Sequence, residues 1–178
     1  MDNTGDSYSL NSGSIPLRRT KHMNNEHFQE KLAIGTAGED IIYPWLKERN
    51  SLVQDMRYQK HEKGSGPRLE GTEGYIVLPD FAVWNKSPTK GNFLVDVKVK
   101  KDIYPVKGKM CFTVDNKFED YKRCSEIMKM DHLKIIFIYG GKFYVYKDSE
   151  VTCTTIYNNQ YSKGIVYCFE HNVKKIEY

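Results

Sequence analysis

The first patterned stretch of the chain has a helical period. Between Asn25 and Arg49, Phe28, Leu32, Gly35, Glu39, Ile42 and Leu46 follow at intervals of four, three, four, three and four, the spacing of one helix face. Glu39 stands in the middle of that inward stripe. Pro44 has no amide hydrogen and is expected to kink or end the helix. Residues 1–24 are rich in Asn, Ser, Gly and Thr without periodicity, which predicts a flexible N-terminal arm closing on Arg18, Arg19 and Lys21. Residues 25–178 are expected to form one domain.

Apolar runs then predict strands over Ser51–Gln59, Gly74–Trp84 and Asn92–Lys100, with a mobile Gly- and charge-rich loop, His61–Gly71, between the first two. The second and third would pair antiparallel and bring Asp80 near Asp96. A second helix is expected from Asp115 or Asn116 to about Met130, Asp115 serving as N-cap and Phe118, Tyr121, Ser125 and Met128 sharing a face. Leu133–Tyr139 reads as an apolar strand. Gly140-Gly141 suits a tight hairpin into Lys142–Lys147, and Gly164–Phe169 adds a further strand. The order of helix, three strands, helix, strand is that of an α/β core with a short mixed sheet, packed helices and extra C-terminal strands.

Chemistry concentrates on two of these strands. Pro79-Asp80 is followed, after a gap of fifteen residues, by Asp96-Val97-Lys98 inside the apolar run from Phe93 to Val99. Strand side chains alternate between faces, so Asp96 and Lys98 point the same way while Val95, Val97 and Val99 point the other. Burying such charges costs several kcal/mol unless they are paired or hold a metal. Lys100, Lys101, Lys107 and Lys109 follow, either as a solvated face or as a basic strip able to track phosphates. The loop over His61–Gly71, with Lys60, Lys63 and Arg68, is either a substrate-contacting lid or an ordinary solvated loop.

Composition narrows the class. At 178 residues, 39% hydrophobic and 28% charged, the chain has the make-up of a soluble globular domain. No apolar run approaches the roughly 20 residues that span a bilayer, and the polar N-terminus shows no signal peptide, so a cytoplasmic setting in a cell or an infected host is expected. Cys111, Cys124, Cys153 and Cys168 are widely spaced without a C-x-x-C pair and read as reduced and structural. The five histidines lack metal-ligand spacing. Tyr139, Phe143, Tyr144 and Tyr146 alternate as hairpin core residues do. The formal net charge of +4 is too mild to point to a polyanion by itself.

The Pro79-Asp80 and Asp96-Val97-Lys98 elements, with Gly35-Thr36-Ala37-Gly38-Glu39 on the preceding helix, resemble the PD-(D/E)XK nuclease superfamily over roughly residues 26–139. The resemblance implies a restriction-endonuclease-like core of order αβββαβ. It further implies that Asp80 and Asp96 bind Mg²⁺, or Mn²⁺ in its place, with the backbone carbonyl of Val97, and that Lys98 is the catalytic lysine. Glu39 would act at the same metal directly or through a bound water. Lys117, near the start of the second helix, corresponds to the place of a supporting polar residue. The implied activity is phosphodiester hydrolysis in DNA by an endonuclease of the resolvase or recombination-and-repair kind, with a homodimer as the implied assembly and a virus-encoded end-processing nuclease as a variant. The competing class is a non-catalytic nucleic-acid-binding or assembly protein on a degenerate nuclease core, against which the complete Asp80, Asp96 and Lys98 set argues.

Overall fold

A computed structural model describes residues 23–49, 52–57, 67–71, 74–158 and 163–177. In chain order they form helix α1 (Met23–Arg49) and strands β1 (Leu52–Asp55), β2 (Arg68–Gly71), β3 (Gly74–Val77), β4 (Phe81–Trp84), β5 (Phe93–Val99), β6 (Tyr104–Val106) and β7 (Lys109–Val114). Helix α2 (Lys117–Ile127) follows, then β8 (His132–Tyr139), β9 (Lys142–Lys147), β10 (Cys153–Asn158), β11 (Lys163–Glu170) and β12 (Ile176–Glu177).

The central sheet has the order β1-β4-β5-β8-β9-β12. Within it β5 and β8 run parallel, in register from Phe93 opposite His132 to Val99 opposite Ile138, and the remaining neighbours are antiparallel. A parallel pair needs a long crossover, and the segment carrying α2 supplies it. Alternation along β5 sorts the two faces. Val95 and Val97 pack with Ile42 and Leu46 of α1, whereas Leu94 packs with Phe118 and Tyr121 of α2 and with Phe112, Phe137 and Phe169. Asp96 and Lys98 continue the Leu94 side and face α2.

Gly38 sets how closely α1 sits on β5. A Cβ there would collide with Val99 Cγ2 and come within 3.2 Å of Ile138 Cδ1. Val99 is β-branched and stiff, so it has little room to turn away. Gly38→Ala is therefore expected to lower stability by about 1–3 kcal/mol, the usual penalty of overpacking. Denaturant titration would measure it, and an unchanged midpoint would mean that α1 slides freely over the sheet.

The structure departs from the sequence expectations in identifiable places. Helix α1 runs through Pro44, because Leu46 beyond it is 1% exposed and Trp45 packs edge-on to Phe143 at 6.0 Å. Burial of the last turn offsets the missing hydrogen bond. Leu32, expected on the inward stripe, is half-exposed. The strand expected over residues 74–84 is two strands, broken at Leu78-Pro79-Asp80, and β3 turns back to pair with β2 inside the segment expected as loop. Arg68 thus lies in a strand, its guanidinium 3.8 Å from the centre of the Tyr75 ring, while Lys60 and Lys63 fall outside the described residues. Most of the expected N-terminal arm, residues 1–22, also falls outside them. A second sheet, β10-β11-β7-β6, takes the strand over Gly164–Phe169 away from the central sheet. It stacks Phe112 on Phe137 at 4.5 Å and buries Tyr144 and Tyr146 as core residues. No helix among the described residues is long and apolar enough to cross a membrane.

Candidate metal and phosphodiester site

The site forms where β5 outruns its neighbour. β4 begins at Phe81, opposite Val95, so beyond that point the β4 side of β5 has no strand partner among the described residues. Asp80, in the bend just before β4, fills the gap. Its Oδ2 accepts the Val97 amide hydrogen at 2.7 Å, and its own carbonyl accepts the Met56 amide hydrogen at 3.0 Å. In a strand the N–H and C=O of one residue point to the same side, so the Val97 carbonyl lies on the Asp80 side of β5.

Asp96 is 1% exposed, and its Oδ2 lies 2.6 Å from Lys98 Nζ. That contact is an ion pair without directed hydrogen-bond geometry, and Oδ2 accepts no other hydrogen bond among the described residues. The Lys98 side chain remains 26% exposed. Burial works against its charge, but Asp96 and Asp80 outweigh burial and hold its pKa above the ordinary lysine value. Asp80 shows the opposite strain: burial first, then the neighbouring Asp96, push its carboxyl well above the carboxylate range, against the pull of Lys98. Asp80 and Asp96 thus crowd like charge at the open edge of β5, and Oδ2 of Asp96 is left without a hydrogen bond among the described residues.

Glu39 arrives from the α1 face. Burial raises its pKa, opposed first by Arg57 and then by Lys98, with Asp96 raising it further, so it belongs to the same electrostatic cluster. Its Oε2 is 3.5 Å from Arg57 Nη1. Among the described residues no three His, Cys, Asp or Glu side chains converge as a metal-binding group. The groups at this edge that suit a hard divalent cation are Asp80, Asp96 and the Val97 carbonyl, with Glu39, coupled to Asp96 and Lys98, placed to join them directly or through a bound water.

Two further residues reach the site. Tyr121 on α2 is 3% exposed and accepts from Lys98 Nζ at 3.5 Å. Burial, then Asp96 and Asp80, raise its pKa so far that the hydroxyl stays protonated. Lys117, one turn earlier, stands exposed at the helix start. The sequence does carry a signal for Tyr121, which lies on the inward stripe of the expected helix and brings a hydroxyl beside Lys98. Arg57 has no such signal, because in an expected strand it reads as one alternating charge among several.

The other lysines divide by environment. Lys101 and Lys107 are exposed. Lys109 pairs with Glu170 at 2.6 Å on an exposed edge. Lys100 is half-buried with its ammonium 6.0 Å from the centre of the Phe137 ring, and burial followed by repulsion from Lys98 pushes its pKa down to about 8. All four cysteines are free.

No family model and no curated protein matches the sequence. Among solved structures, that of Hjc, a Holliday junction resolvase from the archaeal hyperthermophile Archaeoglobus fulgidus, is similar with a TM-score of 0.46 and 9% identity, over 76% of this chain and 83% of that one. The fold rests on the chain's own topology: helix α1, the antiparallel run β1-β4-β5, crossover helix α2 and the parallel return strand β8 make it a restriction-endonuclease-like αβββαβ core.

Proposed function

We propose that the protein is a divalent-metal-dependent nuclease that hydrolyses phosphodiester bonds in DNA. The observation that carries this reading is the pair of mutually repelling carboxylates, Asp80 and Asp96, held at the open edge of β5 beside a charged Lys98. Buried like charges are retained at a cost to stability, and a site that captures a cation and then a phosphate gives that cost a use. Asp80, Asp96 and the Val97 carbonyl would hold Mg²⁺ or Mn²⁺, with Glu39 completing the set directly or through a bound water. Bound there, such an ion supplies Lewis acidity and an acidified water.

The side chains then divide the work. Lys98 stays protonated and reaches the exposed side of the site, so it donates to a phosphate oxygen as charge builds there. Tyr121 orients that ammonium from the α2 side. Glu39 approaches from the α1 side, where a carboxylate can accept a hydrogen bond from the attacking water. The exposed Lys101, Lys107 and Lys117 would contact flanking phosphates.

The test is incubation of the purified protein with labelled linear duplex, single strand, flap and four-way junction DNA, and with RNA, in Mg²⁺, Mn²⁺ or Ca²⁺. Metal-dependent DNA cleavage supports the reading, and the preferred substrate separates a junction-cutting enzyme from an end-processing one. Metal-independent binding with no cleavage of any substrate would instead favour a nucleic-acid-binding module.

A further inference from the structure

Arg57 is tied to more partners than a surface ion pair requires. Its guanidinium grips Asp55 in a fork, Nε to Oδ1 at 2.8 Å and Nη2 to Oδ2 at 2.5 Å. Its Nη1 donates to Asp40 Oδ1 at 2.7 Å and reaches Glu39 Oε2 at 3.5 Å. Its Cζ lies 5.0 Å from the Phe81 ring centre and 5.9 Å from that of Tyr43, two rings that themselves stack at 5.6 Å. The side chain is only 11% exposed.

This arrangement excludes a direct grip on substrate. Among the described residues three carboxylates share this one guanidinium, so its donors are turned to the protein's own acids and not to a phosphate. What the guanidinium does is join elements: Asp55 ends β1, Asp40 and Glu39 belong to α1, and Phe81 follows Asp80 directly. The residue before it, Met56, donates its amide hydrogen to the Asp80 carbonyl. One short segment, 55–57, therefore braces both Asp80 and Glu39. Of the three carboxylates, Glu39 makes the longest contact, so it is aimed without being sequestered.

We propose that Arg57 is a positioning residue that sets the Glu39 carboxylate against the Asp80–Asp96–Lys98 cluster, acting through Glu39 and not on the substrate. The proposal rests on the nuclease reading and deepens it. Lysine keeps the charge but cannot reproduce the fork and the Nη1 bridge together. A neutral residue would leave three carboxylates unbalanced and risk unfolding, so Arg57→Lys is the variant of choice, with Glu39→Gln and the double variant completing a cycle.

Two readouts are needed: Mn²⁺ affinity by calorimetry, and single-turnover cleavage with kcat and KM separated. Arg57→Lys is expected to weaken Mn²⁺ binding and lower kcat, each by roughly 10–100-fold as for other outer partners of a metal site, with KM for DNA changing much less. In the Glu39→Gln background the same substitution is expected to change neither. Undiminished effects in that background, or no effect of Arg57→Lys on its own, would overturn the proposal while leaving the nuclease reading intact. A wild-type protein that binds Mn²⁺ but cuts nothing still tests the coupling by calorimetry. A wild-type protein that binds no Mn²⁺ overturns both.

Discussion

Replacing Asp96 by asparagine is expected to reduce metal-supported DNA cleavage by about 10³-fold or more, and Lys98→Met by about 10²–10⁴-fold, the range found when one electrostatic or proton-handling group is removed. Asp96 is 1% exposed, so no neighbouring side chain can move in to replace its oxygens without rebuilding β5. Lys98 contributes in a different way, since its ammonium lies 2.6 Å from the Asp96 carboxylate and keeps an exposed path to a bound phosphate. The two variants should therefore separate in binding. In Ca²⁺, Asp96→Asn loses the metal-dependent part of DNA affinity, whereas Lys98→Met retains most of it and fails in the chemical step. Because both residues serve one transition state, the double variant should be little worse than the poorer single one. Single-turnover rates on the preferred substrate decide this. Wild-type rates in either variant would place the cleaving site elsewhere.

Asp80→Asn is expected to do two things that rarely go together, raising the stability of the metal-free protein at neutral pH while abolishing cleavage. Burial and Asp96 raise the folded-state pKa of Asp80 above its ordinary value of 3.8. The folded protein thus holds this proton more tightly than the unfolded chain does. The stabilisation linked to it is complete below the unfolded pKa and is lost as pH rises through the folded pKa. At neutral pH the raised pKa of Asp80 is a liability that asparagine removes, while still offering an oxygen to the Val97 amide. The gain should be on the order of 1 kcal/mol, the common size of a single stabilising substitution. For a chain of this length each kcal/mol moves Tm by about 2–4 °C. It should vanish in acid, where wild-type Asp80 is already protonated. Mg²⁺ or Mn²⁺ should raise the wild-type Tm at pH 7.5 and leave that of Asp80→Asn unmoved. A destabilised Asp80→Asn at neutral pH would show that Asp80 serves the fold and is not held there against it.

The residues behind both expectations are legible in the amino-acid sequence. Asp80, Asp96, Lys98 and Glu39 stand out because each interrupts an apolar pattern whose period is short and local, so a charge on the wrong face is visible in the sequence itself. The same local logic predicts α1, α2, β5 and the β8–β9 hairpin. It fails over the stretch from 61 to 84, where β2 and β3 form a hairpin of their own and Pro79 breaks what reads as one long strand. The second sheet is equally invisible to it, because β7 gains its partner β11 from more than fifty residues away, and nothing in either segment specifies the other.

By itself the sequence determined the αβββαβ order and which charged side chains are forced inward, since both follow from side-chain periodicity within single elements. Only the tertiary structure decided that Asp80 stands in a bend and not a strand, that Tyr121 instead of Lys117 meets Lys98, and that Arg57 ties Glu39 to the end of β1. Each of these depends on which elements become neighbours, a choice made by long-range burial: the contact of Gly38 with Val99, the early start of β4, and the packing of Phe118 and Tyr121 on the far side of β5.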